Sequence, residues 1–375
     1  MGRGAISIDA LIFGAGIFGL WAAQRRLAQG GSVAVVDIER RPLLRASLIN
    51  QARGHNGYHY PRSVYTALRS ASYYERFRHD FPTAVNQRFR SVYAIASEGS
   101  FLDAAHFEKF CDTVGVPARR IDAAEYFLDG SVEAAYETDE FSFDAPELRA
   151  ALLARLDAYP GRLHWFLGDT AIEAGANGDN WQVTLRSGTR VTAASVVNAT
   201  YAGTNALLAT FGLPPVPLKY ELCEMVLVDA PAHRDVALTV MDGSFFSLMP
   251  FGHTPWHSLS AVAYTPRRTS TDILPTFPCQ RLAPDCGPAA LANCANCPAR
   301  PVSSYPYMHT LARRFLPPAP RLRQVESLFT VKTVLRTAEV DDSRPTLIRT
   351  ESERPPFVTL FSGKVNTIYD LDEAL

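Results

Sequence analysis

Glycines 14, 16 and 19, in the run Gly14-Ala15-Gly16-Ile17-Phe18-Gly19, follow directly on an apolar stretch from Ile6 to Phe13. In a G-x-G-x-x-G spacing each glycine has a task. The first permits a tight turn out of a strand, the second admits a pyrophosphate against bare backbone, and the third lets helix and sheet approach closely. Ile17 to Gln29 repeats apolar residues at helical spacing (Leu20, Ala23, Leu27), and Gly30-Gly31 ends it. A helix starting there points unpaired N–H groups and its dipole at the phosphate position. Val33 to Val36 reads as a second buried strand, closing on Asp37 and Ile38. An acidic residue at that point accepts hydrogen bonds from the adenosine ribose hydroxyls and disfavours a 2′-phosphate, which Arg40 and Arg41 would otherwise invite. This βαβ unit predicts the ADP half of a dinucleotide. It does not by itself separate a flavin from a nicotinamide.

The next segment does. Ser47 to Ser63 carries Asn50, Gln51, Arg53, Gly54, His55, Asn56, Gly57, Tyr58, His59 and Tyr60. It is too polar for a core strand and suits a loop laid along a polar ligand, with glycines allowing close backbone approach. A nicotinamide dehydrogenase has no general need for such a loop straight after its first βαβ unit. FAD does, because its ribityl chain and ring extend past the pyrophosphate. His59 is the first candidate for catalysis, as a base, a positioning group or a point of covalent attachment. Ribityl or backbone hydrogen bonding is the alternative for both His55 and His59. Tyr60 stands beside His59 as a further catalytic candidate, with simple packing as its alternative.

At these residues the chain resembles the D-amino-acid oxidase and glycine oxidase superfamily of FAD-dependent oxidoreductases. The GHN and following HY residues are similar to a loop of L-2-hydroxyglutarate oxidases. Val196-Val197-Asn198-Ala199-Thr200 resembles the second flavin segment of the superfamily, with Ala199 and Thr200 at the cofactor. Tyr201 replaces the glycine that usually follows, so the backbone is expected to depart from the common path. Ser362 to Thr367 resembles the C-terminal segment returning to the flavin ring and puts Gly363, Lys364, Val365 and Asn366 there; Lys364 departs from the common Gly-His-Gly form. The resemblance implies an α/β Rossmann-type FAD-binding domain interleaved with an antiparallel-sheet substrate domain of α+β character. It also implies hydride transfer to FAD from a carbon bearing an amine or hydroxyl, in a small, carboxylate-bearing substrate, with O2 or another electron acceptor. Lys332 falls in the strand that carries a cation facing the substrate carboxylate in the superfamily. A lysine in an apolar strand needs a partner, which would be substrate or a carboxylate such as Asp341 or Asp342. The alternatives left open are a NAD-dependent dehydrogenase and a non-catalytic FAD-binding protein.

Cys279, Cys286, Cys294 and Cys297 include one C-x-x-C. Four thiolates could close a structural Zn2+ site that stabilises a Pro-rich segment with little core of its own. Free thiols, a disulfide or iron–sulfur ligation are the alternatives.

The elements that must position these residues follow from patterning. Helices are expected near Ser63–His79, Phe101–Val114, Ala145–Ala158 (with Asp144 as N-cap) and Tyr307–Phe315. Strands are expected near Arg90–Ala96, Leu163–Phe166, Trp181–Leu185, Arg190–Val197, Leu218–Val228, Phe245–Phe251, His257–Tyr264 and Val325–Leu335. Arg40 to Arg62 reads as loop with one short helical turn, and Asp341 to Pro345 as a turn. The FAD-binding domain is placed at 1–80, 140–215 and 325–375. The substrate domain is placed at 81–139 and 216–324, with a Cys-rich insert at 273–307. The 375 residues, net charge of −1, 47% hydrophobic and 20% charged residues describe an ordinary globular chain. They give no electrostatic reason for a nucleic-acid partner. No apolar run approaches the roughly 20 residues of a membrane span, and the N-terminus does not read as a secretory signal. A cytoplasmic location is the expectation.

Overall fold

The computed structural model of the protein describes residues 5–318, 322–339 and 344–375. Strand β1 (Ile6–Phe13), helix α1 (Ile17–Ala28) and strand β2 (Val33–Asp37) form the predicted βαβ unit. β1 pairs in parallel with β2 on one side and with Arg190–Asn198 on the other. It is therefore an interior strand of the sheet; Ser7 and Asp9 in its first half are exposed, and Ala10 to Phe13 are buried without alternation, as in a strand covered on both faces. α1 lays Leu20, Trp21, Ala23 and Leu27 into the core and half-buries its arginines, Arg25 pairing with Asp372 at 3.4 Å.

The sheet built on this unit runs, in order, Ala171–Asn177, Asn180–Leu185, Arg190–Asn198, β1, β2 and Leu163–Leu167. Pro356–Phe361 adds to it in parallel beside the C-terminal end of Arg190–Asn198. That pairing brings the last segment of the chain to the carboxyl ends of β1 and Arg190–Asn198, where open α/β sheets bind ligands. Helix Ala145–Asp157 packs on α1, and the Asp144 side chain caps it by accepting from the Glu147 N–H at 3.0 Å, as the sequence predicts.

A second sheet of nine strands is mostly antiparallel, centred on Leu218–Asp229, with one parallel pair joining Val236–Met241 to Arg90–Ala96. Arg323–Leu335, placed by sequence in the cofactor domain, pairs along nearly the whole of Leu218–Asp229 and so runs in this second sheet. A small third sheet links Arg53–Gly54, Val85–Asn86 and Phe141–Phe143. The polar loop contains the expected short helical turn, with the Arg45 carbonyl accepting from the Leu48 and Ile49 N–H groups at 2.9 and 2.8 Å. It also has the two-residue strand Arg53–Gly54, anchored on Phe141–Phe143. Ala171–Asn177 and Val236–Met241 carry no turn-bounded alternation and were not visible in the pattern. The expected turn at Asp341, Asp342 and Ser343 lies outside the described residues. No helix among the described residues is long and apolar enough to cross a membrane.

Candidate functional site

A cavity of about 960 Å3 runs from the glycine turn to the nine-stranded sheet. That is at the upper end of ligand sites, which span roughly 300–1,000 Å3. At one end lie Gly14, Gly16, Ile17, Phe18, Asp37 and Ile38; along its length lie Ser47, Asn50, Gln51, Arg53 and His55; Ala199, Thr200, Gly363, Lys364 and Val365 line it with His59, Tyr60 and Lys332.

The end at the glycine turn is made of backbone. Gly14 has φ of +102°, and a Cβ there would meet the Ala199 carbonyl oxygen at 2.4 Å. Gly19 does not line the cavity; a Cβ on it would fall 1.7 Å from the Gly14 carbonyl oxygen, so it serves the close packing expected of the third glycine. Gly16, the N-cap residue of α1, offers no side chain to cap the helix, and there is no acidic residue in its first turn. Its Ile17 N–H donates to the Ser47 hydroxyl at 3.1 Å. Asp37 accepts from the Ala15 N–H at 2.5 Å and from the Glu39 N–H at 2.7 Å, which fixes its carboxylate on the cavity wall.

The other end is made of buried charge. Arg53 donates to the Tyr93 hydroxyl at 2.6 Å and to Thr239 Oγ1 at 2.7 Å, and lies 3.3 Å from Glu140 Oε2. Tyr93 in turn donates to Glu140 at 2.8 Å. The second oxygen of Glu140 stands 3.4 Å from His55 Nδ1. The His55 ring lies 5.5 Å from His59 and 5.5 Å from Tyr60, centroid to centroid. The Lys364 ammonium sits 3.7 Å above the Tyr60 ring. Burial, and then the positive charges of Lys364 and Arg53, hold His55 well below the ordinary histidine value. His59 is depressed in the same way by burial, then by His55, Arg53 and Lys364. Burial and Arg53 likewise push Lys364 well down, while burial pushes Glu140 up against the pull of Arg53 and Tyr93. Among the described residues Arg53 Nε, His59 Nδ1 and Glu140 Oε1 are buried without a hydrogen-bond partner.

Several sequence candidates lie elsewhere. Gly54 makes room for Phe141, whose ring would lie 2.0 Å from a Cβ there, and does not admit a ligand. Asn56 is buried off the cavity. Asn366 holds the loop from behind, its Nδ2 donating to the His55 and Ser70 carbonyls at 3.2 and 3.0 Å. Tyr201 adopts φ of +55°, in the left-handed region that favours glycine. Its hydroxyl compensates by bonding the Thr333 carbonyl and N–H at 3.0 and 3.1 Å. Lys332 finds its partner in Glu221, directly opposite it on the neighbouring strand at 3.8 Å; Asp341 and Asp342 lie outside the described residues. The zinc expectation fails. Among the described residues no group of three or more His, Cys, Asp or Glu could hold a metal ion. Cys279, Cys286, Cys294 and Cys297 are free and line a second, small cavity of apolar surface. Burial, then the neighbouring thiols, push Cys294 up to about 12. These cysteines pack as small, weakly polar side chains.

Sequence reading missed Glu140, Tyr93 and Thr239, and the cavity-lining Arg62, Glu221, Asp242 and Arg344. Glu140 sits in Glu137-Thr138-Asp139-Glu140, which reads as an exposed acidic turn. Nothing local marks one of those carboxylates as fully buried.

A family model described as FAD dependent oxidoreductase (DAO) matches residues 9–263. The chain belongs to this family. An FAD-dependent monooxygenase of Fusarium mangiferae, FPY4, is 28% identical over 148 residues, so the match spans 40% of this chain and only 38% of that protein. Glycine oxidase from Geobacillus kaustophilus superimposes with a TM-score of 0.70 at 16% identity, covering 98% of this chain and 95% of that chain. L-alpha-glycerophosphate oxidase from Mycoplasma pneumoniae, dithionite-reduced with FAD bound, gives 0.70 at 13% identity, covering 98% and 93%. At such identities the likeness is one of fold. Membership makes this an FAD-dependent enzyme family rather than a nicotinamide one, and the residues present fit that cofactor. Gly14, the start of α1 at Gly16 to Phe18, and Arg53 and His59, each with a buried ring or guanidinium nitrogen lacking a partner, all line one long cavity.

Proposed function

We propose that the protein oxidises a C–N or C–OH bond of a small, carboxylate-bearing substrate such as an amino acid, a hydroxy acid or a biosynthetic intermediate. The sheet around β1 and β2 holds FAD and the nine-stranded sheet faces the substrate. FAD, when bound, accepts the hydride that leaves the substrate carbon.

The observation that carries this reading is His59. Its Nδ1 is buried without a partner, its ring lines the cavity, and its surroundings keep it uncharged. A neutral imidazole there can accept the proton released from the substrate N–H or O–H as the hydride departs. Tyr60 and Lys364 back the ring end of the cavity. The lining on this side carries Arg53, Arg62, Lys332, Arg344 and Lys364 against Glu221 and Asp242. Arg53 and Arg62 are paired with Glu140 and Asp242, and Lys364 is pushed well down, so the cation at hand for a substrate carboxylate is Lys332, half-exposed at the cavity and 3.8 Å from Glu221. Gln51, whose amide donates to Ser260 across the cavity, ties the polar loop to the substrate-side sheet.

The test is anaerobic mixing of the flavin-loaded protein with amino acids, hydroxy acids and neutral amines or alcohols of matched size. Bleaching of the flavin absorbance by carboxylate-bearing substrates, and colour returning when O2 or an artificial acceptor is admitted, is the expected result. Bleaching by the neutral set alone would overturn the substrate class. Bleaching by none, with NADH oxidised instead, would restore the nicotinamide reading.

A further inference from the structure

The Cys-rich segment does not stand apart from the cofactor cavity. Gly287 and Ala290 exchange both backbone hydrogen bonds at 3.1 Å, so Pro288 and Ala289 form the tip of a two-residue turn. The continuous run from this tip, Pro288 to Cys294, lines the main cavity. Behind the run, Leu291, Ala292 and Cys294 also line the small thiol-walled cavity, so one strip of chain has a ligand-facing side and a packed side. The packed side is a miniature core. Cys279, Cys286 and Cys294 pack with buried Leu291 and Phe277 against the cluster that includes β1 and β2.

The strip is fastened to the glycine-rich unit through one side chain. Arg45 donates to the Leu291 carbonyl at 2.8 Å and to Glu39 Oε1 at 2.6 Å. Glu39 is the residue whose N–H fixes Asp37. Asp37, Glu39, Arg45 and Leu291 thus form one hydrogen-bonded chain from the ribose-binding carboxylate to the insert. All of them line the same end of the cavity, with Asp169, Thr170 and Ala171.

We propose that this insert is a second cofactor-binding segment, in which Pro288–Cys294 covers the adenosine end of bound FAD and Arg45 holds it in place. The proposal rests on the family's use of FAD. The exposed Pro288-Ala289-Ala290 tip is small and apolar, which suits the flat face of an aromatic base. The rest of the Rossmann-type unit recognises phosphate and ribose but leaves that face open. The cysteines serve as the filling that stiffens the strip, which explains free thiols crowded into one segment without a metal.

The test compares wild type with Arg45→Met, which keeps the aliphatic stem and removes the bonds to Leu291 and Glu39, and with Ala290→Glu, which places a negative charge on the exposed tip. FAD affinity is read by flavin fluorescence, and ADP affinity for the apoprotein by displacement of FAD. Both variants should weaken FAD and ADP by the same factor of about tenfold or more, with the melting temperature of the apoprotein unchanged; tenfold corresponds to about 1.4 kcal/mol. Unchanged affinities, or FAD weakened while ADP is not, would overturn the proposal, since the insert would then touch nothing or touch the other half of the cofactor. If Arg45→Met also lowers the melting temperature, Ala290→Glu decides alone. A wild-type protein binding neither FAD nor ADP would instead count against the family's cofactor in this chain.

Discussion

The two ends of the cavity are built by opposite means. The end proposed to take the phosphates (the phosphate end) comes from one contiguous stretch, Gly14 to Asp37, and its main parts are backbone: a left-handed turn, the N–H groups of a helix start, and a carboxylate held by two amides. The ring end gathers side chains from the polar loop, from Tyr93, from Glu140, from Thr239 and from Lys364, and its active parts are charges buried against one another. The first kind of site depends on space and dihedral angles, the second on electrostatic balance. They should fail differently.

Gly14→Val gives the largest expected loss. Its Cβ has no room beside the Ala199 carbonyl, and φ of +102° is strained for any branched side chain. Purified Gly14→Val protein should carry no flavin absorbance and show no recovery with added FAD. A variant that still loads FAD stoichiometrically would mean the turn can relax, and that the phosphate end is less backbone-determined than stated.

Glu140→Ala probes the ring end. It leaves the Arg53 guanidinium buried without its carboxylate, and breaking such a pair typically costs about 3–5 kcal/mol. Chemical denaturation should show a loss of that size, whereas Glu140→Gln, which keeps the Tyr93 hydrogen bond, should lose less. Equal stability of Glu140→Ala and wild type would show that the network is not holding the charge in place.

The same contrast explains what the sequence could reveal. G-x-G-x-x-G, the strand before it and Asp37 after it are local, and each fell where the spacing predicts. The Asp144 cap was legible for the same reason. Glu140 was not, because its burial is decided by Arg53 and Tyr93, which are distant in sequence. Gly54 and Asn366 were assigned to the ligand because they lie next to residues that do face it; their true partners, Phe141 and the Ser70 carbonyl, appear only once the chain is folded. The cysteines were read as ligands from their spacing; they do share one small cavity, but among the described residues no group of three or more is placed to hold a metal ion.

His59 links electrostatic balance to rate. Replacing it with Gln should lower kcat by about 10²-fold or more while leaving FAD bound, the scale of general-base loss. In the wild type its folded value lies well below the ordinary 6.5. The imidazole therefore stays neutral as pH falls through 6.5, and kcat/KM should hold level there and drop only at lower pH. Stability runs the other way. Below 6.5 the unfolded chain takes up protons on His55 and His59 that the folded chain refuses, so unfolding free energy should decline as pH falls from 6.5. A kcat/KM profile that breaks at 6.5 or above would show an ordinary, solvated histidine and would remove the base assignment.

Tyr201 belongs to both regimes, and its removal should have the smallest effect. Its backbone is glycine-like at φ of +55°, a conformation costing a non-glycine residue about 1–2 kcal/mol. Its side chain repays that by bonding the Thr333 carbonyl and N–H and by stacking on Phe361 at 5.3 Å. Tyr201→Phe keeps the backbone and the stack and loses only the hydroxyl, so it should cost about 1 kcal/mol, the scale of a net hydrogen bond. Tyr201→Gly relaxes the backbone but loses ring and hydroxyl together. If side-chain pairing governs this position, the glycine variant is the less stable of the two in chemical denaturation. If backbone strain governs it, as at Gly14, the glycine variant equals or exceeds wild type, and Tyr201 belongs with the phosphate end after all.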